Sequence, residues 1–197
     1  MNGGRADGLR KPAGSRGRPG DVRLSDYEAW IEEGTIEEGA PIQLIEGRIV
    51  RKRAERRDHS RASIKGRQAI ERGLPAGWHL GAETPVQMPA SEGLPEPDRS
   101  VTRGRADDYK VRDPGLGDVA LVVEMADSSL AEDRRRAAVY LAGGDPAYGI
   151  INVRDRRHEV FHRDATPRVL AEGDASELVV DGAVVARVAV ADLLPGD

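Results

Sequence analysis

Residues Asp118–Ala126, DVALVVEMA, form a nearly continuous apolar run, and this run constrains the fold of the chain more than any other stretch. A strand covered on both faces has no reason to alternate polar with apolar side chains, so the segment reads as the central strand of a layered sheet. One residue breaks the pattern. Glu124 places a carboxylate inside the run, and a buried carboxylate must be paired, protonated or bound to a cation. The alternative at this point is an edge position from which Glu124 simply faces water.

The residues C-terminal to the run set the topology. Ser129-Leu130-Ala131-Glu132 has the form of a capping box, so a helix is expected to start there and to run through Arg134, Arg135, Arg136 and Tyr140 to Gly143-Gly144. Tyr148 to Val153 is a second apolar strand, which makes strand, helix, strand a crossover in the middle of the fold. Upstream, LSDYEAWIEEG predicts a short helix capped by Ser25, with Tyr27, Trp30 and Ile31 on one face and Gly34 as its end. PIQLIEGRIVRKR predicts a hairpin turning at Glu46-Gly47, and ELVVDGAVVARVAV another turning at Asp181-Gly182. Between them, His59 to Gly73 reads as a helix with Ile64, Ala69 and Ile70 as its apolar face, and WHLGAETPVQM as a strand interrupted near Pro85. The pattern is that of an α/β protein with a mixed central β-sheet flanked by helices and a β-rich C-terminus.

A chain of 197 residues suffices for one domain with a proper core. Residues 1–20 are rich in Gly, Arg, Pro and Ala without apolar periodicity, and are expected to be a disordered basic tail; the domain is expected over 21–197. That tail carries a local charge of +4, which leaves -8 for the rest given the total of -4. So acidic a body is a poor general binder of phosphate backbone, and any contact with nucleic acid must be local. The absence of cysteine excludes disulfides, thiolate metal sites and cysteine nucleophiles. No apolar run is long enough to span a bilayer, so the expected location is cytoplasmic, with no membrane partner.

The chemistry centres on two acids. Asp98 follows Pro97 at the start of a short β segment, and Asp98 with Glu124 on adjacent strands could share one hard cation, since Mg2+ takes one or two carboxylates plus water and substrate phosphate. Arg51, Lys52, Arg53, Arg56, Arg57 and Arg61 form a basic run that either tracks a phosphate backbone or is a solvated surface, with Glu55 and Asp58 diluting it.

These residues carry a resemblance. EPDRSVTRGRADDYKVRDPGLGDVALVVEMADSSLAEDRRRAAVYLAGGDPAYGIINV, with QLIEGRIV and His59 upstream, resembles the Uma-two family of restriction-endonuclease-like proteins within the PD-(D/E)xK nuclease superfamily, from about Val22 to the C-terminus. The resemblance implies a restriction-endonuclease-like core, hydrolysis of DNA phosphodiester bonds, a Mg2+ or Mn2+ cofactor held by Asp98 and Glu124, and a homodimer. It also implies a catalytic lysine on the helix after Glu124, a Glu where this chain has Gln43, and a histidine near the site where His59 stands. The chain departs from the pattern at three places. Its four lysines, Lys11, Lys52, Lys65 and Lys110, all precede Glu124, and Arg136 or Ala137 occupies the helix position. Arginine stabilises phosphate charge but does not give up its proton, so Arg136 could replace only the electrostatic half of the role. Gln43 removes a negative charge, and Gly149 replaces an aromatic of the late strand. Two readings stay open: a metal-dependent endonuclease using Asp98, Glu124, Arg136, Gln43 and His59, or a catalytically inactive nuclease-fold protein that binds DNA or a protein partner. A third, with no site at all, ties Glu124 to an arginine of the next helix.

Overall fold

The structure, a computed structural model, describes residues 21–37, 39–52, 57–126, 129–144 and 146–196, without the side chains of 57–63. The basic tail of residues 1–20, and Arg53 and Arg56 of the basic run, lie outside the described residues. The chain divides into two compact units, one made by the described residues up to 52 with 88–95, the other by those of 57–87 with 96–196.

In the smaller unit, α1 (Leu24–Glu32) buries Leu24, Tyr27 and Trp30, the i, i+3, i+6 stripe of an amphipathic helix. Ile31, expected on that face, is largely exposed. Nor does Ser25 cap the helix: Arg23 is the cap residue, and the N–H of Leu24 donates to the Glu92 carboxylate at 2.7 Å. A distant acid thus satisfies the helix terminus that a local Ser was expected to serve. The hairpin of β1 (Ile42–Ile45) and β2 (Arg48–Arg51) turns at Glu46-Gly47, both with positive φ, as a two-residue turn of this hand requires. Leu44 and Leu94 complete the core of the unit.

The larger unit is built on a six-stranded sheet in the order β3-β4-β5-β6-β7-β8. Its strands are β3 (Trp78–Ala82), β4 (Arg99–Arg103), β5 (Val119–Ala126), β6 (Ala147–Asn152), β7 (Arg157–Phe161) and β8 (Arg168–Ala171). β5 and β6 are parallel, joined through α3 (Leu130–Gly143), and every other neighbouring pair is antiparallel. The apolar run is therefore an interior strand, which removes the edge reading of Glu124. The expected strand across Pro85 ends at Ala82, and Gln87 makes only an isolated bridge.

Side chains alternate across the sheet, giving it one apolar and one polar face. On the apolar face Val101, Val123, Met125 and Ile151 pack with Ala69 and Ile70 of α2 (Arg57–Glu71), with Leu178, Val180 and Val188 of the hairpin β9 (Ala175–Val180)–β10 (Ala183–Ala189), and with Leu193 of α4 (Val190–Leu193). That hairpin turns at Asp181-Gly182 as expected. Ile64 points to solvent instead of into this core; a Cβ on Gly66 would stand 3.3 Å from Ile151 Cδ1, so Gly66 is the α2 residue that meets the sheet here. No helix among the described residues is long and apolar enough to cross a membrane.

Candidate metal centre under helix α3

The polar face carries the chemistry. Antiparallel register pairs Arg99 with Val123, and one step further Asp98 stands opposite Glu124. Glu124 pairs in parallel with Ile150, and Ile150 with Glu159 on β7. Asp98, Glu124, Ile150 and Glu159 thus lie in one row across four strands, and α3 packs over β5 and β6 on this face.

Asp98 and Glu124 are tied together by crossed hydrogen bonds. The Asp98 N–H donates to Glu124 Oε2 at 3.3 Å, while the Met125 N–H donates to Asp98 Oδ2 at 2.7 Å. Each carboxylate accepts from main chain at or beside the other's position, which fixes both heads at the end of the β4–β5 ladder. Arg136 reaches this pair from α3, with Nη1 3.6 Å from Glu124 Oε1 and Nη2 2.8 Å from Glu132 Oε1. Two residues before it on α3, Arg134 grips the buried Glu159 of β7 in a bidentate pair at 2.8 and 2.6 Å. Arg134 is therefore committed to Glu159, and Arg136 is the arginine that meets Glu124; Arg135 is exposed.

Electrostatics distinguish Glu124 from an ordinary surface carboxylate. Burial, and after it the Asp98 charge, push the Glu124 pKa well above the usual carboxylate range, and Arg136 offsets this only in part. Burial works against the Arg136 charge too, but Glu124, Glu132 and Asp133 together outweigh it and its pKa rises. Asp133, 3% exposed and not expected in the site, is pushed up by burial against the pull of the Ser129 hydroxyl. A sequence signal for its place exists: Asp133, Ala137 and Tyr140 form the buried i, i+4, i+7 stripe of α3. The expected capping box is not formed. Ser129 Oγ donates to the Asp133 carboxylate and Glu132 turns to Arg136, so both box residues serve the polar face instead of the helix terminus.

Does this donor set suit a divalent cation? Two adjacent hard carboxylates, tied by crossed hydrogen bonds and with Arg136 beside one of them, form a donor set of the kind a hard divalent cation takes. A divalent cation held by two carboxylates would keep several of its own waters. Asp98 and Glu124 are the residues here that could hold a divalent cation.

Gln43 is on β1 in the smaller unit and is buried. His59 falls within α2, but its side chain lies outside the described residues, as do those of Arg57 and Arg61. Glu46 belongs to the hairpin turn. At Gly149 an added Cβ would meet His158 Nε2 at 2.7 Å, so an imidazole from the next strand occupies the space beside the missing aromatic.

A family model described as "Putative restriction endonuclease", Uma2, matches residues 24–188. The chain belongs to the Uma2 family. A solved structure similar to this Uma2 chain is described as a "putative nuclease belonging to DUF820 from Anabaena variabilis ATCC 29413"; the two share 18% identity with a TM-score of 0.70, over 87% of this chain and 97% of that one. At that identity the likeness is one of fold: a mixed α/β architecture of the restriction-endonuclease-like kind. No curated protein matches the chain.

Proposed function

We propose that this Uma2 chain is a Mg2+- or Mn2+-dependent endonuclease that hydrolyses phosphodiester bonds of DNA, with Asp98 and Glu124 as its metal ligands. The observation that carries the reading is the crossed pair of hydrogen bonds joining Asp98 to Glu124 at the end of β5, with Arg136 as their nearest counter-charge. When bound, a divalent cation polarises the scissile phosphate and lowers the pKa of its water. The chain's own residues do the rest. Asp98, oriented by the Met125 N–H, and Glu124, oriented by the Asp98 N–H, supply ligands in a fixed geometry. Arg136 offsets negative charge developing at phosphate without surrendering a proton. Two-fold symmetry matches the two antiparallel strands of a duplex, so the reading includes a homodimer.

A plasmid-nicking assay with Mg2+ or Mn2+ tests it. Conversion of supercoiled to open-circular DNA by the wild type, lost in Asp98→Ala, is the expected result; equal rates for both would remove the reading. A second reading is favoured by one observation, the absence of any lysine on α3: a catalytically silent member that holds DNA or a protein partner on the same fold. Duplex binding in a gel shift without nicking under any metal would select it.

A further inference from the structure

Two phenols near Glu124 are unaccounted for by packing. Tyr140 of α3 and Tyr148 of β6 are fully buried with ring centroids 5.3 Å apart, and neither hydroxyl has a hydrogen-bond partner among the described residues. A buried hydroxyl without a partner destabilises the fold, a cost that phenylalanine at either position would avoid. Arg136 Nε is a third buried donor in the same condition. All three belong to the polar face. Register pairs Tyr148 with Val122 and Ile150 with Glu124, which puts Tyr148 one step along the face from Glu124; Tyr140 descends from the α3 stripe that carries Asp133. The polar face beside Glu124 therefore holds more buried donors than its present contacts use.

We propose that Tyr140 and Tyr148 are positioning residues that donate hydrogen bonds to the Glu124 carboxylate when it holds a cation. The inference rests on the metal-site reading above. Groups that orient a metal-binding side chain typically contribute ten- to a hundredfold to metal affinity. Calorimetric titration of Mn2+ into the full chain, comparing wild type with Tyr140→Phe, Tyr148→Phe and the double variant, tests it alongside thermal melting in EDTA. The double variant is expected to bind Mn2+ about tenfold or more weakly, while its metal-free melting temperature stays level or rises because unpartnered hydroxyls are gone. Hydroxyls with structural partners in the metal-free fold would give the opposite, a lower melting temperature and unchanged affinity, which overturns the inference. If wild type binds Mn2+, Glu124→Gln abolishes binding and the Phe variants match wild type, the positioning role alone fails. If wild type binds no Mn2+, the metal reading falls and this inference with it.

Discussion

Arg134 and Arg136 sit two residues apart on α3 and each meets a buried carboxylate, yet the contacts differ in kind. The first closes a bidentate pair with Glu159; the second divides itself between Glu124 and Glu132 and leaves Glu124 short of compensation. Arg134→Ala strands a buried acid, so it should lower stability by about 1–3 kcal/mol, while Glu159→Gln in that background recovers most of the loss. Urea unfolding of the two variants checks this; equal stability of wild type and Arg134→Ala would show the pair to be idle. Arg136 is the position at which a lysine can be tried. Arg136→Lys keeps a cation beside Glu124 and adds a group able to exchange a proton, so nicking should speed up by about tenfold or more, whereas Arg136→Ala slows it. A Lys variant slower than wild type would contradict the view that arginine fills only half of the role. Of these residues, Arg136 was legible in the sequence through the resemblance, and Glu124 through its intrusion into an apolar run. Asp133 carried only the helical-stripe signal it shares with Ala137 and Tyr140, which ordinary first-turn charge hides until the sheet beneath the helix is known.

At the scale of elements, Gly149 and His158 act as one unit across β6 and β7. The imidazole lies where a side chain at 149 would go, so a position that looked like simple loss of an aromatic is a ring supplied by the neighbouring strand. Gly149→Ala forces His158 to move inside a close-packed face, at a cost of about 1–3 kcal/mol. With His158→Ala present the same change should cost much less, and a double-mutant cycle by chemical denaturation reads the coupling. Additive effects would mean that the two residues do not share space. The sequence could not announce this pairing, since strand-to-strand neighbours depend on register and not on local pattern. Elements with local causes were legible: the hairpins at Glu46-Gly47 and Asp181-Gly182 follow from turn chemistry, and the β5–α3–β6 crossover from two apolar runs and the helical stretch between them. Elsewhere a tertiary partner displaces the local one that the sequence offers. Glu92 caps α1 in place of Ser25, Ser129 turns to Asp133, and Gly66 rather than Ile64 faces the core.

For the whole molecule, the two sheet faces impose opposite dependences on pH. His158 is buried on the apolar side with both ring nitrogens unpartnered, and burial pulls its pKa from 6.5 down to about 4. Its folded value is depressed, so the unfolded chain takes up the proton first; the stability it contributes is complete above pH 6.5 and is lost as pH falls towards 4. At about 1.4 kcal/mol per pH unit, that amounts to roughly 3 kcal/mol. Glu124 runs the other way. Its folded pKa is raised, so its contribution is complete below the ordinary glutamate value of 4.5 and is lost as pH climbs through the folded value. A cation bound at Asp98 and Glu124 would cancel that loss, since it favours the ionised carboxylate. Urea unfolding of the metal-free chain at about pH 7 and about pH 4.5 separates the two faces. His158→Leu should remove about 2–3 kcal/mol of the acid-side loss, and Glu124→Gln should raise stability at neutral pH while leaving that acid-side loss in place. Should His158→Leu lose as much stability on acidification as wild type, the imidazole is partnered in solution and its burial is not what sets the acid limb.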